Sequence, residues 1–499
     1  INHCRDWYFV SISKWGALVE SIQLTSSQWQ ENAQQYQPAL MADLLQFLAI
    51  PSVLDPTTAN IQRPFGTGID MALKFISDIA QRDGFKVNRV ADNMIVVVDY
   101  GPEDASETVG VLSHVDVVPA GDAWTVTLPF SPKIEGNRLY GRGSHDMKAD
   151  LLAAYYAVKQ LKDMAFQPKR KIRLIFGSDE ESDWRDMQAY LSEVGEPTLG
   201  FSPDGAFPVV PGEKGVLTLA TKFQGVTTSA WQLHHFHAGE RDNVVPGMAT
   251  ADIELPSHVD INGFLGAYER YLNDTPIISG VGQYDDGHIL LTLYGKSAHG
   301  AYPETGLNAG TYLAHFLVDY GFNQQAHAFL EFLGIANHQN VFGEKLGLVY
   351  HDDIMGDLTL NIGQMTFNKN AESEIRINFR YPMGITETAI LTQVQRHMGD
   401  LVGKTFKQES FGNQPHMVDL NDPIVTTLEN VYAEHTHTVK QYKISNGGSY
   451  ARLLKRGVAF GGQFPDVPVM SHQPNEYVLI DNIPKTQAIF AHALYEISR

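Results

Sequence analysis

Cysteine is almost absent from this sequence, whose 499 residues include only Cys4. A single cysteine excludes an intrachain disulfide, so the fold must depend on its packed core. Disulfides are typical of oxidising compartments, and their exclusion fits a reducing one. We therefore predict a cytoplasmic protein.

Long apolar runs are also missing. No stretch approaches the roughly 18 to 20 apolar residues that a membrane-spanning helix needs, although 43% of the residues are hydrophobic. The N-terminal segment has no basic region followed by a long apolar one. We interpret residues 1–37 as an extension of unclear role and not as a signal peptide.

Basic residues are few, since 37 Lys and Arg stand against 57 Asp and Glu for a formal net charge of -20. A strongly negative chain repels phosphate backbones and anionic lipid surfaces. We therefore expect neither a nucleic-acid partner nor a membrane partner.

The length of the chain predicts two or three domains. Helix and strand patterns alternate over residues 38–208, beginning near Pro38, and return over residues 382–499. This order predicts one discontinuous α/β domain, a mixed sheet with helices on both faces. Residues 209–381 have more polar, alternating strands with helices between them. We interpret them as an inserted α+β lid made of two units, 216–255 and 289–379.

Histidine and carboxylate side chains follow predicted strands at their carboxyl ends. His114 and Asp116 follow the apolar run VGVL, Glu180 and Glu181 follow KIRLIF, and Asp204 lies in FSPDGAFP. In open α/β sheets ligands bind at these strand ends. Alternation along a strand also places Asp116 where it can hydrogen-bond one ring nitrogen of His114 and leave the other free.

Two more candidates come from other contexts. Asp146 lies in GRGSHDMK directly before a predicted helix, where free backbone N–H groups stabilise a carboxylate. His472 lies in MSHQPNEY, after a segment rich in Gly and Pro. Each motif alone has an ordinary explanation: a capping Asp, a solvated acidic turn, an Asp-Gly turn or a loop histidine. We do not interpret the run 234–237, HHFH, as a site, because its first two histidines point to opposite strand faces.

Together these residues match the ligands that two divalent ions about 3.5 to 4 Å apart require. One carboxylate can bridge the ions, and a histidine and an acid remain for each. Nitrogen and oxygen ligands without cysteine suit catalytic zinc, and Co²⁺ or Mn²⁺ can use the same set. One glutamate is left over as a possible general base.

The motifs SHVDVVPAGDAW, YGRGSHDMK, DEESDW, FSPD and MSHQPNEY occur in the order found in a known family. From about Pro38 to its C-terminus the chain resembles the co-catalytic di-zinc peptidases, which include aminoacylase, carboxypeptidase G and succinyl-diaminopimelate desuccinylase. It is most similar to the PepV dipeptidase branch. The resemblance implies a zinc-exopeptidase-like catalytic domain with an inserted lid.

The resemblance also implies roles for individual residues. It implies five ligands for two zinc ions: His114 and Asp204 for one, Glu181 and His472 for the other, and Asp146 as the bridge. Implied catalytic groups are the general base Glu180, Asp116, which orients His114, and the oxyanion-stabilising His299. Implied substrate contacts are Asn243, Arg380, Gly448, Ser449 and Arg452.

The chain departs from the PepV pattern beside the bridging carboxylate. It has Asp146-Met-Lys-Ala-Asp150 where that branch has Asp-Asp-Lys-Gly-Pro, and His145 precedes the bridge. These differences leave the ligand in place and concern substrate specificity.

From this resemblance we expect a metallo-dipeptidase that acts on small unblocked peptides, β-alanyl dipeptides among them. We expect a monomer, with one lid unit replacing a partner subunit, and a lid that limits substrates to two residues. The substrate amine is expected at Asp116 or its neighbours. The alternatives are an amidohydrolase of N-acyl or N-succinyl amino acids and an inactive metal- or peptide-binding module. The presence of Glu180 argues against the second, since binding needs no general base.

Overall fold

The computed structural model describes residues 24–226, 229–398, 401, 403–408 and 411–499, so Cys4 lies outside the described part. The α-helices are α1 (Ser26–Leu48), α2 (Thr67–Arg82), α3 (Lys148–Asp163), α4 (Arg185–Glu193), α5 (Ile261–Asp274), α6 (Ala309–Leu317), α7 (Gln324–Glu331), α8 (Glu387–His397), α9 (Pro423–Thr436) and α10 (Ile483–Ser498). Short 3-10 or π segments are Pro303–Thr305, Phe332–Ala336, Glu344–Leu346, Tyr450–Leu453 and Ile480–Asn482.

The strands up to the middle of the chain are β1 (Lys86–Val90), β2 (Ile95–Tyr100), β3 (Thr108–His114), β4 (Lys133–Glu135), β5 (Arg138–Tyr140), β6 (Lys171–Gly177), β7 (Leu199–Ser202), β8 (Gly205–Ala206), β9 (Val209–Glu213), β10 (Gly215–Gln224), β11 (Gln232–Ala238) and β12 (Met248–Glu254). The later strands are β13 (Ser279–Asp285), β14 (His288–Tyr294), β15 (His351–Asp352), β16 (Gly356–Asp357), β17 (Thr359–Asn368), β18 (Glu372–Tyr381), β19 (Gly403–Gln408), β20 (His416–Met417), β21 (Tyr442–Ser445), β22 (Gly457–Ala459), β23 (Gly462–Gln463) and β24 (Tyr477–Leu479).

The first unit is built on a mixed sheet with the order β1-β2-β6-β3-β7-β22-β9-β20, and β21 pairs with β9. β3 runs parallel to β6 and β7, whereas β1 and β2 are antiparallel additions at one edge. Val111 of β3 packs in a cluster with α3 and α10, and Leu112 packs with Met187 and Tyr190 of α4 on the other face. The predicted α/β class, with helices on both faces, is confirmed.

Helix α1 corrects the predicted start of the fold near Pro38. The helix begins at Ser26, and Pro38 lies inside it. Thr25 and Gln28 form a capping box, which satisfies free N–H groups of the first turn. Trp29 is buried and stacks on His492 of α10. The segment from residue 25 is thus part of the first unit. The proline at position 38 had led to the prediction of a later start.

The second unit has one continuous sheet with the order β13-β14-β12-β11-β17-β18-β10-β19. The two predicted lid units therefore share a single sheet, because β11 pairs with both β12 and β17. Its hydrophobic cluster runs from Leu217 to Leu401 and includes Ile390 of α8. The second unit thus continues past the predicted end at Tyr381, through α8 to β19, which pairs with β10.

The first unit's hydrophobic cluster draws on residues 29–209 and 418–497, so this unit is discontinuous in sequence. The second unit is inserted between these two parts. Within the described ranges, none of the helices has both the length and the apolar character needed to cross a bilayer.

Candidate metal centre

Three neighbouring parallel strands bring the predicted ligands to one edge of the first sheet. In the order β6-β3-β7, His114 ends β3, Glu180 and Glu181 follow β6, and Asp204 follows β7. Asp146 lies just before α3, and His472 lies in the loop between β23 and β24. Parallel strands end at the same edge, so residues far apart in sequence converge there.

Asp146 lies between the two histidines and faces each with a different oxygen. Its Oδ1 is 3.4 Å from His114 Nε2, and its Oδ2 is 3.3 Å from His472 Nε2. His114 Nε2 is also 3.6 Å from Asp204 Oδ2, and His472 Nε2 is 3.0 Å from Glu181 Oε2. Each histidine thus has an oxygen of Asp146 and one further carboxylate beside it.

These separations fit ligands that share a metal ion. Zinc–ligand bonds of about 2.0 to 2.2 Å at a tetrahedral angle put neighbouring ligand atoms about 3.3 to 3.6 Å apart. His114 Nε2 is buried and has no hydrogen-bond partner among the described residues. Buried polar atoms are rarely left unpaired, so a cation beside this nitrogen would explain its environment.

Ligand atoms also cluster in two groups within which all lie within 4.8 Å of one another. One group is His114, Glu180 and Asp204, and the other is His114, Asp146 and Glu181. The first group places the Glu180 carboxylate beside the candidate ligands His114 and Asp204. Both groups contain the nitrogen and oxygen donors that catalytic zinc prefers.

Asp116 contacts both His114 and the segment that carries Glu180 and Glu181. His114 Nδ1 lies 3.0 Å from the Asp116 backbone oxygen and 3.4 Å from its Oδ1. The Asp116 carboxylate also accepts hydrogen bonds from the backbone N–H groups of Glu180 (3.3 Å) and Glu181 (3.1 Å). This carboxylate is 3% exposed and fully engaged. The substrate amine was expected at Asp116 or its neighbours, and the carboxylate oxygens of Asp116 itself are directed into the protein.

Glu180, Glu181 and Asp204 have raised pKa values, whereas hydrogen bonds and charge from His114 and His472 outweigh burial and lower the pKa of Asp146. Burial and the charge of Asp204 raise the pKa of Glu180 well above its ordinary value. Burial and the charge of Asp146 raise the pKa of Glu181 to about 7. Burial and Asp146 likewise raise the pKa of Asp204. Such crowding of negative charge disfavours ionisation unless cations are present.

Glu476 is a positioning residue that the sequence analysis did not identify. Its carboxylate accepts hydrogen bonds from the backbone N–H groups of Gly143 (3.0 Å), His145 (2.7 Å) and Asp146 (3.0 Å), and from Arg142 Nη1 at 2.7 Å. It is fully buried. Because Glu476 lies on the loop of His472, it joins the segments that carry two candidate ligands. The sequence feature that could have identified Glu476 is its place in the motif MSHQPNEY beside His472.

The residues that differ from the PepV pattern next to Asp146 include Asp150, which lies behind the candidate ligands. The Asp150 carboxylate fits against the backbone of Gly462, where an added Cβ would lie 1.9 Å from Asp150 Oδ1. A side chain at Gly462 would thus displace Asp150. Burial and the charges of Asp204 and Asp146 raise the pKa of Asp150 well above its ordinary value. Asp150 therefore favours the neutral form.

A cleft of about 580 Å³ joins the centre to the second unit. Glu180, Glu181 and His472 line it on one side. Of the predicted substrate contacts, it is lined by Asn243, Arg380, Gly448 and Arg452. The volume lies within the range of about 300 to 1,000 Å³ that is usual for small-molecule sites.

Arg380 is a buried cation at the second unit's side of the cleft. It donates from Nε to Asn378 Oδ1 and from Nη1 to the Asn446 backbone oxygen, both at 3.0 Å. Burial and the charge of Arg452 lower its pKa to about 10, so it stays charged at neutral pH. Its Nη2 has no hydrogen-bond partner among the described residues and can bind an anion.

His299 lies outside the residues lining this cleft but within electrostatic reach of it. Burial, Arg380 and His472 lower its pKa to about 4, so the ring is neutral at pH 7. Its Nδ1 accepts a hydrogen bond from the Ala301 N–H at 3.0 Å. The ring proton is consequently on Nε2, which makes that nitrogen a donor.

Ser449 and Arg452 are held by an internal acid. Ser449 Oγ donates to Glu213 Oε1 at 2.7 Å, and Arg452 Nε donates to Glu213 Oε2 at 2.8 Å. Arg452 Nη2 also donates to the Lys214 oxygen at 2.8 Å. These bonds shape the loop around Gly448, and Ser449 is 2% exposed. The geometry thus favours a supporting role for both side chains.

Two histidines of the run in β11 form local hydrogen bonds with glutamates. His234 Nε2 is 3.0 Å from Glu254 Oε2, and His237 Nε2 is 3.3 Å from Glu240 Oε1. These contacts lie within the second unit.

Comparisons with known proteins agree on one family. Residues 110–496 match the model of "Peptidase family M20/M25/M40". The chain is 38% identical over 475 residues to a protein of Staphylococcus haemolyticus named "Putative dipeptidase", covering 94% of this chain and 99% of that one. It is 34% identical over 474 residues to "Putative dipeptidase YtjP" of Bacillus subtilis, covering 94% and 100%.

Solved structures show a similar fold. Human carnosine dipeptidase 1 aligns with a TM-score of 0.58 and 15% identity, over 95% of this chain and 98% of that one. The dipeptidase Dug1p of Saccharomyces cerevisiae aligns with a TM-score of 0.59, also at 15% identity and with the same coverage of both chains. At such identities the likeness concerns the fold.

Proposed function

The chain belongs to the M20/M25/M40 peptidase family, and on that basis we propose that it hydrolyses unblocked dipeptides, β-alanyl dipeptides among them, with two zinc ions. Membership makes it a metal-dependent hydrolase, and relatives covering nearly its whole length carry the name dipeptidase. The observation that carries the proposal is the Glu180 carboxylate within 4.8 Å of the candidate ligands His114 and Asp204, since the five proposed ligands fill both sets without it.

The proposed ligands divide into two sets that share one carboxylate. His114 and Asp204 would hold one ion, Glu181 and His472 would hold the other, and Asp146 would be shared between them. The distances of 3.4 and 3.3 Å from Asp146 to the two histidines support this division. Bound divalent ions lower the pKa of a water and polarise the scissile carbonyl. Co²⁺ or Mn²⁺ can occupy the same ligands.

Glu180 acts as the general base. Its carboxylate takes a proton from the attacking water and passes it to the nitrogen of the leaving amine. Burial and Asp204 raise its pKa, which makes the carboxylate a stronger proton acceptor once neighbouring charges are balanced. Asp116 holds the backbone of Glu180 and the ring of His114, so base and ligand keep a fixed relative position.

His299 and Arg380 bind the substrate from the second unit. The neutral His299 ring can donate from Nε2 to the oxyanion that forms on the carbonyl, where a fixed donor has its largest effect. Arg380 is charged and has a free Nη2, which suits a terminal carboxylate. Asn243 and Gly448 line the same cleft.

Arg380→Lys tests the carboxylate contact. The variant keeps the charge but loses the planar fork, so we expect KM for dipeptides to rise about tenfold or more with a smaller change in kcat. Amidation of the substrate's C-terminus should abolish the difference between the two proteins. An equal loss on amidated substrates would contradict the contact.

We further propose that the protein is a monomer and that the second unit limits substrates to two residues. One chain supplies all eight strands of the second unit's sheet, which supports a lid that needs no partner. Light scattering during turnover tests the first statement, and an obligate dimer would overturn it. Comparison of a dipeptide with a tetrapeptide tests the second. Cytoplasmic location also stays a prediction.

A substrate panel tests the activity itself. Zinc-loaded protein should hydrolyse Gly-Leu and β-Ala-His faster than N-acetyl-leucine or N-succinyl-leucine, with metal content measured on the same sample. Faster hydrolysis of the acylated compounds would favour an amidohydrolase. No hydrolysis with two bound ions would favour a binding module.

A further inference from the structure

A second cavity, of about 330 Å³, opens beside the metal centre on the Asp204 side. Asp204 lines one end of it, and Gly447 and Gly448 line another part. Gly448 also lines the cleft that contains Glu180 and Arg380. The cavity, which we call the side cavity, thus adjoins the cleft at Gly448 and the metal centre at Asp204.

The side cavity has apolar walls. Its lining includes Val210, Ala459, Phe464, Pro465, Val467 and Val469. Val210 and Ala459 are only 3% and 2% exposed and form a buried floor, whereas Val469 is 66% exposed. An apolar side chain bound here would remove Val469 from water, which is favourable.

The polar groups of the side cavity do not favour an acidic guest. The Glu213 carboxylate is already bound by Ser449 and Arg452. The Asp204 carboxylate belongs to the metal centre, and Lys443 is exposed. An acidic side chain would therefore lie beside two carboxylates, and the one basic residue among the described residues of the lining, Lys443, is exposed to solvent.

The position of Arg380 decides which end of a dipeptide reaches the side cavity. Arg380 Nη1 donates to the Asn446 backbone oxygen, and the next residue, Gly447, lines the cavity. Tyr302 also lines the cavity and interacts electrostatically with Arg380. A carboxylate bound by Arg380 thus puts the C-terminal residue at the mouth of the side cavity.

We propose that the side cavity binds the side chain of the substrate's C-terminal residue and selects large apolar side chains there. This assignment rests on the proposed dipeptidase function and adds the substrate class. A hydrophobic pocket discriminates about 10- to 200-fold for each methylene that it buries. We therefore expect kcat/KM for Gly-Leu to exceed that for Gly-Gly by at least about tenfold.

Val469→Asp tests the assignment at the exposed rim, where a substitution leaves the packed core intact. We expect the ratio of kcat/KM for Gly-Leu to that for Gly-Gly to fall about tenfold or more. Val439→Asp is the matched control, because Val439 is 79% exposed and lies outside the cavity lining. It should leave the ratio unchanged. Ala206→Leu, which narrows the cavity from within, should lower the ratio in the same way.

The same substrates distinguish failure of the side-cavity assignment from failure of the dipeptidase function. Hydrolysis of all dipeptides with an unchanged ratio in both cavity variants would overturn the side cavity and keep the dipeptidase function. A fall confined to Leu-Gly would place the N-terminal side chain there, and a preference for Gly-Glu over Gly-Leu would overturn the apolar class. Failure to hydrolyse any dipeptide would reject the dipeptidase function, and this inference with it.

Discussion

Replacement of Glu180 by glutamine separates a general base from a metal ligand. Glutamine has nearly the same shape, and the backbone N–H of residue 180 would keep its bond to Asp116. What disappears is an oxygen that can take a proton. If Glu180 is the base, the variant retains two ions and loses turnover, since the five proposed ligands are unchanged.

The size of the loss follows from the role. General-base catalysis contributes about 100- to 10,000-fold, which corresponds to about 2.7 to 5.4 kcal/mol in the activation barrier. The Glu180 carboxylate lies within 4.8 Å of ligand atoms of His114 and Asp204 and lines the cleft, where it faces the place of the attacking water. We therefore expect a loss near the upper end of that range.

The assay compares Glu180→Gln with Glu181→Gln at the neighbouring position. Metal content by atomic emission and kcat for Gly-Leu are measured on the same samples. Glu181 is 3.0 Å from His472 and is a proposed ligand, so its variant should lose metal as well as activity. A Glu180 variant with two ions and a rate within tenfold of the wild type would refute the base. Loss of one ion from that variant would make Glu180 a ligand.

Three further perturbations follow from the geometry. Asp146→Ala should lose more metal than Asp204→Ala, because only a bridging carboxylate serves both ions; two tightly bound ions in the Asp146 variant would contradict the bridge. Glu476→Gln should weaken the binding of both ions together and shift the visible spectrum of the Co²⁺ form, because the amide keeps one acceptor oxygen and replaces the other with an NH2 group that faces N–H donors; an unchanged spectrum would make Glu476 merely structural. Burial lowers the pKa values of His435 and His492 in the folded state to about 4. As the pH falls from about 6.5 to 4, these histidines therefore bind protons in the unfolded chain but not in the folded chain, and the free energy of unfolding decreases. His435→Gln should reduce the loss in unfolding free energy between pH 7 and 5 by about 2 kcal/mol, and an identical pH dependence in urea titrations would contradict the lowered pKa.

The candidate ligands could be proposed from sequence because their signals are local. His114, Glu181 and Asp204 each follow a short apolar run, and parallel strands end at one edge whatever the rest of the fold does. The α/β class could be predicted for the same reason, since alternating strand and helix patterns restrict the topology. These inferences needed only neighbouring residues and a general rule about sheets.

Long-range contacts decided the rest. The partners of Glu476 lie at least 330 positions before it, and Arg452 is held by Glu213, 239 positions away. No local pattern reports such pairs, so Glu476 was missed and Arg452 was expected to face substrate. Asp116 was likewise offered to the substrate amine before its oxygens were seen to bind the backbone beside Glu180.

The boundaries of the two units also depend on long-range contacts that local sequence does not report. A proline inside a helical pattern predicted a start at Pro38, but burial of Trp29 against α10 stabilises the earlier turns of α1. The sequence by itself determined which residue types follow which strands, and hence the class of fold and the candidate ligands. Tertiary structure alone decided which polar groups already have partners, because the fold determines which donor lies within hydrogen-bond distance of each acceptor.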